Sequence, residues 1–246
     1  VDEADKNIDK TLQSVNELIN ETKVDGMILL PPVCDQKEII DCLLAASVPF
    51  VRVAPDSQLT VSPYICMDDY QAAFDLTETL IRQGHSKIGH IIGDPNQGVS
   101  RLRYQGYLDA LRSNKINTPP EYIEQGCFTY QSGMVAAKKM LSLVDKPSAI
   151  FAGNDDMAAA VMSIAQSQGI NVPNDLSVVG FDDTTLATIV WPNITTVRQP
   201  IDEMATLAVS LFTSNKNKDF SGLKNSQMRH ILEFEIIQRE SSKSII

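Results

Sequence analysis

Basic residues are scarce in this chain of 246 residues: 21 Lys and Arg stand against 31 Asp and Glu, a formal net charge of −10. Non-specific binding to nucleic acid and to anionic membranes is carried by Lys and Arg, so these residues, taken alone, are excluded as a DNA-binding surface. No apolar run approaches the stretch of about 18 residues that a membrane helix requires. The first twenty residues are polar and helix-patterned rather than signal-like. The four cysteines, Cys34, Cys42, Cys66 and Cys127, have no C-x-x-C spacing and lie in apolar or strand-like segments, where they read as small buried hydrophobes rather than a disulfide framework. The three histidines, His85, His90 and His230, have no metal-ligand spacing, and G-x-S-x-G and G-x-G-x-x-G are missing. Gly93-x4-Gly98 is not a phosphate loop, because Val99 and Ser100 follow where Lys and Ser/Thr are required. No catalytic centre, metal site or cofactor is expected.

What is there is ordinary globular composition, 43% hydrophobic and 21% charged, in a length that suits one large α/β unit or two lobes. Ile8, Leu12, Val15, Leu18 and Ile19 recur at three- and four-residue steps, the stripe of an amphipathic helix over about 5–22. Val24–Leu30, closed by Pro31-Pro32, reads as a buried parallel strand. Helices are then expected at 36–46, 69–83, 100–113, 131–143, 155–168 and 201–213. Strands are expected at 49–53, 64–67, 87–92, 122–126, 149–152, 176–181, 194–198 and about 229–238. Such alternation makes parallel sheets covered by helices on both faces. The opening helix runs into Val24–Leu30 with no strand before it, so a first strand upstream of Val1 is expected.

Asp68-Asp69, Asp155-Asp156 and Asp182-Asp183 each follow an expected strand directly. Ligands of open α/β sheets bind beyond the carboxyl ends of the strands, so these pairs mark that edge. Asp69 and Asp155 stand just before helices and are explained as N-caps. Asp182 precedes no immediate helix and is expected at a ligand. Arg101 and Arg103 begin a helix after a glycine-flanked loop, where free backbone N–H groups and a planar guanidinium suit paired hydroxyls or a carboxylate; both also fit a solvated surface.

Three segments, Gly153-Asn154-Asp155-Asp156-Met157-Ala158-Ala159-Ala160, Val172–Asp183 containing Leu-Ser-Val-Val-Gly-Phe-Asp-Asp, and Ile194-Thr195-Thr196-Val197-Arg198-Gln199-Pro200, resemble in order the effector-binding domain of the LacI/GalR family of bacterial transcription regulators. Val24–Leu29, Gly84–Ile88 and Arg103–Leu111 extend the resemblance over nearly the whole chain. It implies a periplasmic-binding-protein-like type I fold: two Rossmann-like parallel-sheet lobes joined by three crossings, near Met67, Gln199 and 227. The lobes would be 1–66 with 200–226, and 67–199 with 227–246.

By the same resemblance Arg103 grips sugar hydroxyls, Asn154 hydrogen-bonds the ligand, Asp182 accepts hydroxyl protons and Gln199 is a polar hinge residue. Phe128 falls where an aromatic packs on a sugar ring, or else is a core phenylalanine; Cys127 stands where relatives often carry Asp or Asn. Trp191 either lines the cleft or is buried between lobes or subunits. The implied protein is a cytoplasmic, homodimeric, sugar-responsive regulator, a repressor in the family's usual sense, with no enzymatic activity and no membrane partner. Operator DNA would be contacted through a helix-turn-helix upstream of these residues. A secreted sugar-binding protein feeding a transporter would share the fold and is the alternative.

Overall fold

The computed structural model describes residues 8–22, 24–214 and 228–246. The chain divides into two compact units, Val1–Met67 with Pro200–Leu232, and Asp68–Gln199 with Glu233–Ile246.

In the first unit, α1 (Ile8–Thr22) carries the expected apolar stripe, and α2 (Lys37–Ala45) buries Ile39, Ile40 and Leu43. These helices share a core with Leu29 and Phe50. Strands β1 (Met27–Leu29), β2 (Phe50–Val53), β3 (Tyr64–Met67) and β9 (Arg229–Leu232) form a parallel sheet in that order. Helix α8 (Ile201–Ser214) packs against β2 and β3. Arg52 at the carboxyl end of β2 is fully buried, and its fork donates to Ser62 Oγ and to the carbonyls of Cys34, Ser57 and Gln58. Every one of those acceptors belongs to the surrounding loops, so this arginine ties the loop after β2 to the sheet.

The second unit has a parallel sheet in the order β5 (Ile123–Gln125), β4 (Ile88–Ile92), β6 (Ala149–Ala152), β7 (Ser177–Val179). Helices α3 (Asp69–Arg82), α4 (Gly98–Ser113), α5 (Tyr130–Leu141) and α6 (Asp155–Ser167) cover it. The alanine-rich α6 is buried almost all round. It meets α5 closely because Gly133 has no side chain: a Cβ there would lie 2.7 Å from Met157 Cα. Gly106 does the same for α4 against α3, where a Cβ would lie 2.2 Å from the Tyr70 carbonyl oxygen. A short α7 (Thr185–Ile189), with Thr184 at its N-cap position, begins directly after Asp182-Asp183, where no immediate helix is expected.

The expected strand over 229–238 is two strands. β9 pairs in parallel with β3, whereas β10 (Glu235–Ile237) pairs antiparallel with β8 (Thr196–Arg198), so the chain passes from the first unit to the second between Leu232 and Glu233. The expected passage near 227 is therefore several residues too early, and Met67 ends the first unit rather than opening the second. A continuous β-patterned run such as His-Ile-Leu-Glu-Phe-Glu-Ile-Ile does not show where its pairing partner changes. Among the described residues, no helix is long and apolar enough to cross a membrane.

Candidate functional site

In the second unit β4 pairs with β5 on one side and β6 on the other, so the chain reverses direction of travel there and opens a crevice at the strands' carboxyl ends. The strands end one residue before Gly93, Gly126, Gly153 and Gly180. Helix α4 leaves β4 and brings Arg103, on its buried face, to this crevice; the close α3–α4 packing at Gly106, one turn on, brings the start of α3 to meet it.

Arg103 Nε donates to Asp69 Oδ1 at 2.8 Å, and Nη1 donates to the Gly153 carbonyl at 2.7 Å and to Asp182 Oδ1 at 3.5 Å. The guanidinium carbon lies 3.6 Å from the centre of the Phe181 ring and 5.5 Å from that of Phe128. Two aromatic faces and two carboxylates thus fix its plane, which a flexible ammonium could not match. Asp182 Oδ1 also accepts from Gln199 Nε2 at 2.5 Å. Burial pushes the Asp69 carboxyl up, against the pull of Arg103. Asp182 moves the same way for the same reason, opposed by Arg103 and by the Gln199 hydrogen bond. Asp182 and Asp183 hold positive φ, 115° and 57°, conformations that short polar side chains tolerate better than most.

Asn154 is the N-cap of α6: its Oδ1 accepts from Met157 N at 3.0 Å, while its Nδ2 donates to the Phe128 carbonyl at 3.0 Å. That second bond supports Phe128 at φ 61°, a conformation a bulky residue adopts rarely. The Phe128 ring lies over Gly93, where a Cβ would meet ring carbon at 2.1 Å.

Arg103, Asn154, Asp182, Phe128 and Gln199 are therefore brought together. Arg101 and Trp191 are not. Arg101 is two residues ahead of Arg103, about 200° around the helix, and is exposed. Trp191, beyond α7, is 79% exposed and so is not buried within its unit.

The N-caps fall one residue earlier than expected: Asp68 caps α3 and Asn154 caps α6. This releases Asp69 to pair with Arg103. It also releases Asp155, whose Oδ1 accepts from Thr196 Oγ1 and whose Oδ2 accepts from the backbone N–H and hydroxyl of Thr184. Burial raises the Asp155 carboxyl to about 6 despite those bonds. Asp69 and Phe181 are the members of the network that sequence reasoning missed. The doublets held the signal for Asp69, since a helix needs one cap and each pair offers a second carboxylate.

Cys127 is exposed rather than buried, and hydrogen bonds to its thiol from Thr129 and Ser132 hold it below the usual thiol range. Among the described residues, no group of three or more His, Cys, Asp or Glu is arranged to hold a metal ion.

A model of the periplasmic binding protein-like domain matches residues 77–242. Catabolite control protein A of Priestia megaterium is 35% identical over 241 residues, covering 98% of this chain and 71% of that protein. The HTH-type transcriptional repressor CytR of Escherichia coli K12 is 32% identical, covering 93% of this chain and 66% of that protein. Among solved structures, a regulatory protein of the LacI family from Chloroflexus aggregans matches with a TM-score of 0.83 at 26% identity, over 98% of this chain and 84% of that one. The transcriptional regulator CelR in complex with cellobiose matches at 0.81 and 29% identity, over 94% and 70%. The chain spans about two thirds of the curated relatives' length, and by sequence and fold together it belongs to the LacI family of transcription regulators, as their periplasmic-binding-protein-like effector domain.

Proposed function

We propose that this chain senses a saccharide, and that occupancy of the Arg103 site is passed on to operator DNA by a helix-turn-helix segment of the same regulator. The observation that carries the reading is one network: Arg103 held by Asp69, Gly153 and Asp182, with Gln199 on Asp182 and the Phe128 ring beside it. A sugar presents hydroxyl groups around a ring whose C–H faces are apolar. Asp182 and Asn154 take the hydroxyls, Arg103 donates to ring or hydroxyl oxygens, and Phe128 covers the C–H face. The cellobiose held by CelR supports the ligand class, and the HTH-type names of the curated relatives support the DNA arm.

The network also suggests how binding is transmitted. Asp69 stands two residues after the end of β3, where the chain enters the second unit, and Gln199 is the last residue before it leaves. A ligand that draws on Arg103 and Asp182 therefore pulls on both passages. In the proposed mechanism, a saccharide taken between the two units favours one interlobe angle, and in a homodimer that angle sets the spacing of the DNA-reading helices. Action on operator DNA places the regulator in the cytoplasm.

Calorimetry with a saccharide panel, against purines and amino acids as controls, tests the reading. A saccharide is expected to bind, and Arg103→Ala or Asp182→Ala to weaken it at least about tenfold, since each removes a charged hydrogen-bonding partner. A purine or amino acid as the preferred ligand, or unchanged affinity in both variants, would overturn it.

A further inference from the structure

We infer that the Arg103 site takes an uncharged or amine-bearing ligand and rejects anions, so that phosphorylated and carboxylated sugars are excluded. The inference rests on the site proposed above and concerns its charge. One guanidinium faces two carboxylates: Asp69 Oδ1 on Nε at 2.8 Å, and Asp182 Oδ1 on Nη1 at 3.5 Å. The side chains of Arg103 and Asp69 are 5% and 3% exposed, so water screens their charges little. Asp69 already balances Arg103, and Asp182, a quarter exposed, adds a negative charge that is left over.

The surrounding loops add to that excess. The segments 93–98, 126–130, 153–156 and 180–184, which follow β4, β5, β6 and β7, contain Asp94, Asp155, Asp156, Asp182 and Asp183 and no Lys, Arg or His. Asp183 is neutralised by Arg198 at 2.7 Å and Arg239 at 2.6 Å. Asp155 has its oxygens taken up by Thr184 and Thr196. Asp156 has no such partner among the described residues, and it acts on Asp182 in the same sense as Asp69 does.

Helix N-termini are the usual remedy for a phosphate site that lacks basic side chains. Here most are spent. Helix α3 carries Asp68 as its cap and Asp69 next to it; α6 carries Asn154 as its cap with Asp155 and Asp156 behind it; α5 is capped by Thr129. Among the described helices of this edge, α4 and the five-residue α7 begin without a side-chain cap or an acid in the first turn.

The test uses the full chain at neutral pH. Inorganic phosphate is titrated while the Arg103 side-chain N–H resonance is followed at constant ionic strength. D-glucose, D-ribose and cellobiose are compared by calorimetry with glucose 6-phosphate, ribose 5-phosphate, glucuronate and glucosamine. Phosphate is expected to leave Arg103 unmoved. Whichever neutral sugar binds should exceed its anionic derivative by at least about tenfold, the effect of one like charge a few ångströms away at intermediate dielectric. Asp156→Asn should narrow that ratio while leaving the neutral sugar's affinity as it was; an unchanged ratio would remove Asp156 from the account. A saturable phosphate response at Arg103, or an anionic sugar binding as tightly as its parent, overturns the inference. If no neutral sugar binds and phosphate is silent, the saccharide reading falls while the exclusion of anions stands.

Discussion

Arg103 and Asp69 form a buried ion pair, Nε to Oδ1 at 2.8 Å, that joins the middle of one helix to the first residue of another. Removing one partner strands the other charge in a site that water barely reaches, at a cost of about 3–5 kcal/mol. Arg103→Met and Asp69→Ala are each expected to destabilise the protein on that scale in urea unfolding at pH 7. The double variant should cost less than the two single costs combined, by about 1–3 kcal/mol, because neither charge is then left alone. Strict additivity would show that the pair is screened or open.

Gly106 lets that pair form. A Cβ at 106 would lie 2.2 Å from the Tyr70 carbonyl oxygen and 2.9 Å from Phe74 N, both backbone atoms of α3 that cannot rotate away. Gly106→Ala should therefore push α4 from α3, cost about 1–3 kcal/mol through overpacking, and lower saccharide affinity by misplacing Arg103. Gly169→Ala is the control for stability without site damage. Its φ of +72° strains an alanine, but nothing lies within 4 Å of the added Cβ, so affinity should hold while stability drops.

Asn154 has two tasks that a pair of substitutions separates. Asn154→Ala loses the cap on α6 and the bond to the Phe128 carbonyl; Asn154→Ser restores an acceptor for the Met157 N–H but is too short to replace the Nδ2 donor. Thermal or urea unfolding should show the alanine variant about 0.5–2 kcal/mol less stable, with serine recovering most of that loss. Saccharide affinity should stay low in both. Recovery of affinity in the serine variant would mean that Phe128 holds its position without Asn154.

The alternation of Val24–Leu30, Lys87–Ile92 and Ala149–Ala152 with amphipathic stretches makes the parallel sheets legible, because strands buried on both faces read as continuous apolar runs. The carboxyl edge is legible too, through the Asp doublets. Which oxygen goes where is not. Asp68 and Asp69 are the same residue type, and only the approach of α4, permitted by Gly106, decides that the first caps and the second pairs. The split of 229–238 into β9 and β10 was hidden for a similar reason: edge pairing with β3 or β8 depends on neighbours distant in sequence. Trp191 has a composition that suits a cleft, and its exposure is a matter of where the segment after α7 runs.

His90 and Asp155 give stability opposite dependences on pH. His90 is wholly buried, stacked on Tyr107 at 4.8 Å between ring centres; its Nδ1 meets the Phe151 carbonyl, which can only accept, so Nδ1 carries the proton. Its Nε2 has no hydrogen-bond partner among the described residues. Burial, aided by Arg103, pushes the imidazole from 6.5 down to about 3. A lowered histidine contributes stability that is present above 6.5 and is lost as pH falls, at about 1.4 kcal/mol per unit, or about 2 kcal/mol by pH 5. Asp155, raised from 3.8 to about 6 by burial, contributes stability that is full below 3.8 and lost as pH rises through 6. Between pH 6 and 5 it returns about 1.4 kcal/mol and offsets much of the histidine's loss. Wild type should therefore change little over that interval, while variants expose the two slopes. The excess stability of wild type over His90→Phe should shrink by about 2 kcal/mol between pH 6.5 and 5. Its excess over Asp155→Asn should grow by about 1.4 kcal/mol between pH 6 and 5. Urea unfolding across that range measures both, and a constant difference in the first case would show that the imidazole can be protonated in place.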